Sequence, residues 1–478
     1  MRFFLCRDRS KFIKSQDIKQ YGDWYFIHED DVKVYEDNDH LVLYCGYLIE
    51  GDIIEACKNF SFDNENGNFF AIKLTKDTHK ISLDYFQNHK IFVADKYGIE
   101  ISNYLPYMTI KEEDITNTTA LDGTKLKYER EFDADETFYD HIKSFIPPYD
   151  YLQDARDAYE QEIWDSEELT EYIHECMKSH ADVIKAKYPL RYCSLSEGID
   201  SCTQSLFFYN DLQLLYDISP CDAGAVHLRC IKETQERFPN THHYTWHTEE
   251  NREECIKYLT DSSCRWQSIL PTCKQVLSQD KQPDIVMYGV NGNEMFVRDF
   301  IPHMLLLCLT YYDHDTIKMK EKLHAEIDSK RSHYGVTYSL PSDGNWITTD
   351  TYVTAFMRKY FKEHIKEKPY LWKEKQKTFE EGFLMLTTPK LYTRVISNNN
   401  NIMCASIYND RRIFHEVLKM KNHYLISDIM NSPIQRSIIN KFEHEFTTPS
   451  NDVLAASYDT LYAATYDATH DRDLGQHI

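Results

Sequence analysis

The segment from Leu190 to Val290 constrains the fold more than any other part of the chain. "LRYCSL" (190–195) is a short run of strand formers, followed by a polar loop and a helix-like pattern from Cys202. "LQLLYDI" (212–218), "HHYTWH" (242–247) and "DIVMYGV" (284–290) repeat the strand signal. Helical patterns separate them, among them "AGAVHLRCIKETQER" (223–237). Strands joined through helices cannot pair as hairpins, so the pattern predicts a parallel sheet. Such sheets bind ligands at the carboxyl ends of their strands.

Two of those ends carry unusual loops. The first is Ser196-Glu197-Gly198-Ile199-Asp200-Ser201, where a strand gives way to a tight polar turn and then a helix. This is how a chain builds an anion cradle from backbone N–H groups. Ser196 and Ser201 offer hydroxyls, Gly198 admits close approach of the backbone, and Asp200 is able to hold a divalent cation. A plain strand-to-helix turn capped by Asp or Ser competes with this reading. The fourth strand carries the second loop, "YGVNGNEMF" (288–296), with Glu294 opening the next segment. Two such loops on parallel strands of one sheet converge on one metal-bound nucleotide.

Upstream, the first ~110 residues read as short strands separated by Asn, Asp and Gly turns, with a helix around Ile53–Lys58. The acidic stretch Lys111–Asp150, with Pro147-Pro148, reads as linker and domain boundary. Glu167–Lys187 has apolar residues at helical spacing. From Arg298 to about Phe446 the pattern is mostly helical. The tail carries a near-duplicate, "AASYDTLY" then "AATYDATH", read as a terminal flap or a docking segment.

The series of motifs resembles the asparagine synthetase-like ATP pyrophosphatases, which include asparagine synthetase B, β-lactam synthetase and the lasso-peptide cyclases. That family's S-G-G-x-D-S loop stands here as Ser196–Ser201. Its S-G-E-G-x-D-E-x-F loop stands as Tyr288–Phe296. "LLYDIS" and "THHYTWH" fall where the family has its second and third strands. "IYNDRRIFHEVLKM" (407–420) is similar to "PFLDRRLVEFALSLP", giving Asp410, Arg411 and Arg412. "SPIQRSIINKF" (432–442) is similar to the segment holding the family's "LR" pair. In the first half, "NGNFFAIKL" resembles "GMFAFALYD".

The resemblance implies an α+β, Ntn-hydrolase-like antiparallel sandwich over 1–145. An α/β parallel-sheet PP-loop ATP pyrophosphatase domain (adenine nucleotide α-hydrolase-like) then spans 146–450, with a tail over 451–478. It implies ATP and Mg²⁺ as cofactors. Ser196, Glu197, Gly198, Ile199, Asp200, Ser201, Ile218 and Gly289 would meet the nucleotide. Asp200, Asn293 and Glu294 would hold metal, and Asp200, Glu294, Arg436 and Lys441 would take catalytic roles. The partners implied are small-molecule or peptide carboxylates and amines, and a homodimer is compatible with them.

The chain departs from the family pattern at several points. The glutaminase nucleophile requires Cys at position 2, where Arg2 stands, and Cys45-Gly46-Tyr47 replaces the glutamine-holding "NGE". Glutamine-derived ammonia is therefore not the expected amine. Glu197 puts negative charge where a triphosphate would lie, unfavourable by on the order of 1 kcal/mol if unscreened. Turned toward Mg²⁺, the same carboxylate becomes a ligand. Val290 replaces a glutamate, and Asn293 replaces a metal-binding aspartate. "HEFTTPSND" lacks the family's late lysine, leaving Lys441 or Arg436 to meet charge on departing pyrophosphate. Two functions stay open. One is a ligase that adenylates a carboxylate and passes the acyl group to an amine; the other is a pseudoenzyme that binds a nucleotide or a partner.

Composition excludes less. A net charge of −23 argues against a broad footprint on nucleic acid or anionic membrane. The opening "MRFFLCRD" lacks the apolar core of a signal peptide, and "MLLLCL" (304–309) is too short to span a bilayer, so a cytoplasmic location is expected. The thirteen cysteines include no Cys-x-x-Cys pair, which favours thiols over zinc. His242, His243 and His247 read as strand residues, and "YYDHDTI" (311–317) as a solvated turn.

Overall fold

The computed structural model describes residues 1–13, 17–63, 65–111, 119–122, 125–128, 137, 139–149, 166–195, 199–219, 235–247, 270–289, 292, 402–418 and 433–443. The first part of the chain builds two antiparallel sheets. One uses β1 (Phe3–Cys6), β2 (Lys19–Tyr21), β3 (Trp24–His28), β8 (Phe92–Ala94), β9 (Glu100–Ser102) and β12 (Ile142–Ser144), in the order β12-β8-β9-β1-β3-β2. The other is β4 (Lys33–Glu36), β5 (Leu41–Leu48), β6 (Gly67–Leu74) and β7 (His79–Leu83), in sequence order. A separate hairpin joins β10 (Thr119–Asp122) to β11 (Lys125–Tyr128).

Strand β5 shows why the sequence folds this way. All eight of its residues are buried because both its faces are covered. Leu41, Leu43, Cys45 and Tyr47 alternate into the core between the sheets, with Phe3, Leu5, Trp24, Phe26, Phe70 and Ile72. Val42, Tyr44 and Leu48 pack on the other face against Ala56 and Cys57 of helix α1 (Ile53–Asn59). The Asp52 carboxylate caps α1 by accepting the Ile54 and Glu55 N–H groups. Gly46, with φ +104°, lies so close to β6 that a Cβ would fall 1.9 Å from the Asn68 carbonyl oxygen.

The second part is a five-stranded parallel sheet of β13 (Arg191–Leu195), β14 (Leu212–Ser219), β15 (Thr241–His247), β16 (Ile285–Tyr288) and β17 (Met403–Ala405). Its order is β15-β14-β13-β16-β17, and all four pairings are parallel. The strand that comes first in sequence is therefore central. Around it lie α2 (Ser166–Lys187), α3 (Ile199–Phe207), α4 (Leu270–Leu277), α5 (Arg411–Leu418) and α6 (Pro433–Glu443).

Sandwich and parallel sheet share one apolar core, in which Tyr47, Phe70 and Leu83 join Ile173, Met177 and Ile184 of α2, Met287, Met403 and Ile407. Polar groups are buried within it. The Tyr47 hydroxyl meets His180 Nε2 at 2.8 Å, and His180 Nδ1 lies 3.3 Å from the Ile407 carbonyl. The Asn68 amide donates to the Cys404 carbonyl at 2.8 Å. Asn66 Nδ2 donates to Asp410 Oδ1 at 2.8 Å.

Three expectations need correcting. Residues 142–144, inside the stretch read as linker, form β12 and pair with β8 in the sandwich sheet. Phe145 N–H then donates to the Ile91 carbonyl, and the Tyr149 hydroxyl to the Leu83 carbonyl. The helix after β13 begins at Ile199 rather than Cys202, so Asp200 and Ser201 lie in its first turn. Within the region read as mostly helical, Met403–Ala405 is the edge strand of the parallel sheet. The 223–237 helix falls largely outside the described residues, and the 311–317 turn and the tail repeat wholly so. Among the described residues no helix is long and apolar enough to cross a membrane.

Candidate functional site

In the order β15-β14-β13-β16-β17 the winding reverses between β13 and β16. In open α/β sheets a reversal of this kind is where a ligand crevice is expected, at the carboxyl ends of the two strands. The two loops singled out in the sequence follow these strands. Helix α3 starts four residues after the end of β13, and its N-terminal backbone N–H groups give that end of the crevice a partial positive charge.

The glycines of the second loop allow it to meet the first. A Cβ on Gly289 would lie 2.6 Å from both N and Cα of Ser201 and 2.9 Å from the Asp200 carbonyl carbon. A Cβ on Gly292 would lie 2.6 Å from Asp200 Cγ and Oδ1. Any larger residue at either position drives the loops apart. This contact fixes Asp200 on the crevice side of α3.

Three further groups hold the same turn. The Tyr408 hydroxyl, just past β17, donates to the Asp200 carbonyl at 2.7 Å. Ile407 N–H donates to Gln204 Oε1 at 3.1 Å, tying the β17 end to the middle of α3. Helix α6 packs Ile439 with Leu195, Ile199, Cys202 and Leu206, and Phe442 against their cluster. That packing brings Gln435, fully buried, to donate its Nε2–H to Asp200 Oδ1. Gln435 Oε1 is buried and has no hydrogen-bond partner among the described residues.

The expected site residues divide as follows. Asp200, Ser201 and Gly289 come together, joined by Gly292, which is not among them. Ile199 turns its side chain into the apolar cluster of α3, so only its backbone faces a ligand. Ile218 lies next to the last residue of β14, paired with Trp246. Ser196, Glu197, Gly198, Val290, Asn293 and Glu294 lie outside the described residues. Lys441 pairs with Glu171 of α2, near the far end of α6 from Gln435. Arg411 lies over the Tyr85 ring, 4.9 Å from its centroid, with Nε 3.4 Å from His415. Arg436 is half-buried in α6 next to Gln435.

Asp410 and Arg412 take a structural place. Asp410 is fully buried and caps α5 by accepting Arg412 N–H at 2.9 Å. Its carboxylate also receives the Arg412 guanidinium, at 2.7 Å from Nη2. Burial works against the Arg412 charge, but the hydrogen bonds and charge of Asp410 carry its pKa above the ordinary value. A second acidic group, Glu171, His174 and Glu175, brings its ligand atoms within 4.8 Å of one another, but Lys441 already occupies Glu171.

In the sandwich, burial pushes both the Cys6 and Cys45 thiols up to about 11. Neither is a thiolate nucleophile near neutral pH. The Gly46 carbonyl accepts Lys187 Nζ at 2.5 Å, and the Tyr47 hydroxyl meets His180. The Cys45-Gly46-Tyr47 segment is thus spent on docking α2.

Gln435 and Tyr408 carry no signature in the sequence, because a glutamine and a tyrosine in apolar helix and loop segments read as ordinary packing. No family model matches the chain, and no curated protein matches it.

Proposed function

We propose that the β13/β16 crevice binds Mg-ATP and that the chain is an AMP-forming carbon–nitrogen ligase of the asparagine synthetase-like kind. In this reading a carboxylate is adenylated with release of pyrophosphate, and an amine other than glutamine-derived ammonia takes the acyl group. The sandwich domain, an Ntn-hydrolase-like fold in this reading, has no glutaminase role. One observation carries the proposal: Gly289 and Gly292, which follow β16, meet Asp200 and Ser201 in the first turn of α3 at the point where the sheet reverses.

Two features of the crevice suit a metal-bound triphosphate. Gly289 and Gly292 pack so closely on Ser201 and Asp200 that neither has room for a Cβ, which would bring the backbone after β16 to the edge of the crevice. Gln435 Oε1 is a buried oxygen, without a partner among the described residues, on the side chain that holds the Asp200 carboxylate. Bound there, Mg²⁺ would offset the phosphate charge that α3 alone does not balance.

The residues have separable tasks. The first-turn N–H groups of α3 and the Ser201 hydroxyl hold anionic oxygens, with Ser196 and Gly198 preceding them in the loop. Asp200 supplies charge for the cation, together with Glu294 and Glu197 from the two loops, and Asn293 offers a neutral amide oxygen. Ile218, near the end of β14, is assigned to border the base. Arg436, next to Gln435 in α6, is the cation assigned to stabilise departing pyrophosphate.

A second reading has its own support: Lys441 and Arg411 are both engaged with groups elsewhere. A site that grips nucleotide without adenylating would need neither. Pyrophosphate release from Mg-ATP, measured over a panel of carboxylates and amines, separates the two. The ligase reading expects release that depends on both partners and is lost in Asp200→Ala. ATP binding with no release in any mixture leaves the binding reading and removes the ligase.

A further inference from the structure

Gln435 and Gln204 are both fully buried, neutral and half satisfied beside Asp200, but Gln204 leaves an N–H without a partner among the described residues, whereas Gln435 leaves an oxygen and bonds the Asp200 carboxylate itself. Its Nε2 donates to Asp200 Oδ1, while Oε1 has no partner among the described residues. A buried amide oxygen left without a donor is destabilising, and packing alone would have favoured leucine or methionine here. The flanking positions show what packing selects. Ile434 and Ile438 join the main core, and Ile439 joins the α3 cluster. The helix is held on both sides of Gln435, so the amide is presented to Asp200 by a rigid frame.

Charge argues in the same direction. A lysine or arginine at 435 would neutralise Asp200 and compete with any cation for it. An amide donor fixes the carboxylate while leaving its negative charge in place. Because amide nitrogen and oxygen share one carbon, the oxygen anchored by this hydrogen bond stays within reach of the same carboxylate. Carboxylate plus amide oxygen is a hard-oxygen pair of the kind that divalent cations such as Mg²⁺ and Mn²⁺ bind.

We propose that Gln435 is a divalent-cation ligand of the crevice: its N–H orients the Asp200 carboxylate and its Oε1 joins that carboxylate on the metal. This rests on the nucleotide-site reading, whose own metal residue is Asp200. It assigns to α6 a donor that neither loop motif contains.

The test is Mn²⁺ binding to the full chain, with and without ATP, followed by the electron paramagnetic resonance of the free ion. Wild type is compared with Asp200→Asn, Gln435→Met and Gln435→Glu. Gln435→Met preserves length and apolar packing and is expected to weaken Mn²⁺ binding about 10–100-fold. Gln435→Glu is expected to destabilise the metal-free protein through the carboxylate pair, to bind Mn²⁺ at least as tightly as wild type, and to gain more thermal stability from Mn²⁺ than wild type does. Should Gln435→Met fail to fold, the Gln435→Glu response decides alone: destabilisation that Mn²⁺ does not relieve means that residue 435 is purely structural. If Asp200→Asn abolishes binding while both Gln435 variants bind like wild type, Gln435 is not a ligand and the nucleotide site stands. If wild type binds no Mn²⁺ even with ATP, or Asp200→Asn binds it unchanged, the site reading and this inference fall together.

Discussion

Asp410→Ala is expected to be among the most destabilising single changes in the described part of the chain. The Asp410 carboxylate has no solvent exposure and accepts four groups: Asn66 Nδ2 at 2.8 Å, Arg412 N–H at 2.9 Å, Arg412 Nε at 3.0 Å and Arg412 Nη2 at 2.7 Å. Removing it leaves the guanidinium in a protein interior with Ser179 Oγ, the Cys176 carbonyl and the exposed Glu50 as partners. It also uncaps α5 and orphans the Asn66 amide. Breaking one side of a buried ion pair costs about 3–5 kcal/mol, and the cap loss of about 1 kcal/mol overlaps with it. Glu50→Ala removes a partner of the same arginine, but an exposed one, and should cost about 0–1 kcal/mol. Equilibrium urea unfolding monitored by tryptophan fluorescence compares the two. If Asp410→Ala shifts the transition no more than Glu50→Ala, the Asn66–Asp410–Arg412 cluster is not the joint between the sandwich and the parallel sheet.

Gly289→Ala pushes its new Cβ into Ser201 backbone that has no rotamer to yield, so α3 and the β16 loop must part by about 1 Å. The expected cost is about 1–3 kcal/mol of stability and, on the ligase proposal, about 100-fold in pyrophosphate formation, read by thermal melting and phosphate-coupled assay; an unchanged melting point refutes the close approach. Burial holds the His180 imidazole down to about 4, against about 6.5 when unfolded. The stability it contributes is therefore complete above pH 6.5 and lost as pH falls, by about 2 kcal/mol between pH 6.5 and 5. His180→Gln should flatten that part of the pH–stability curve, and parallel curves for the two proteins contradict the assignment. Cys6 and Cys45, raised to about 11, should resist iodoacetamide at pH 8 in the native state and react once urea unfolds the chain. Rapid native-state labelling of either would show that the sandwich core opens.

The strands β13 to β16 were legible because each is a short run of apolar, β-branched or aromatic residues bounded by loops with strong turn chemistry. β17 was not, since three residues of "MCA" are too few to carry a period, and their neighbours Ile407 and Tyr408 are equally apolar. β12 was obscured by the acidic residues around it; its pairing with β8, from Ile142↔Ala94 to Ser144↔Phe92, is set by a partner some fifty residues away. The loop positions of the site were marked by Gly, Asp and Ser, residue types whose local chemistry is visible in one dimension. Gln435 and Tyr408 were hidden because their role comes from contacts 235 and 208 residues distant in sequence. Asn66 and Asp410, 344 residues apart, are joined only through the packing of the two sheets on each other.

The central claim is that the β13/β16 crevice is a nucleotide site organised by Asp200. Calorimetric titration of the full chain with Mg-ATP, for wild type and Asp200→Ala, tests it most directly. A nucleotide site there predicts saturable one-to-one binding by wild type, weakened at least about tenfold in the variant. Absence of binding by wild type, or equal binding by a folded Asp200→Ala protein, contradicts it.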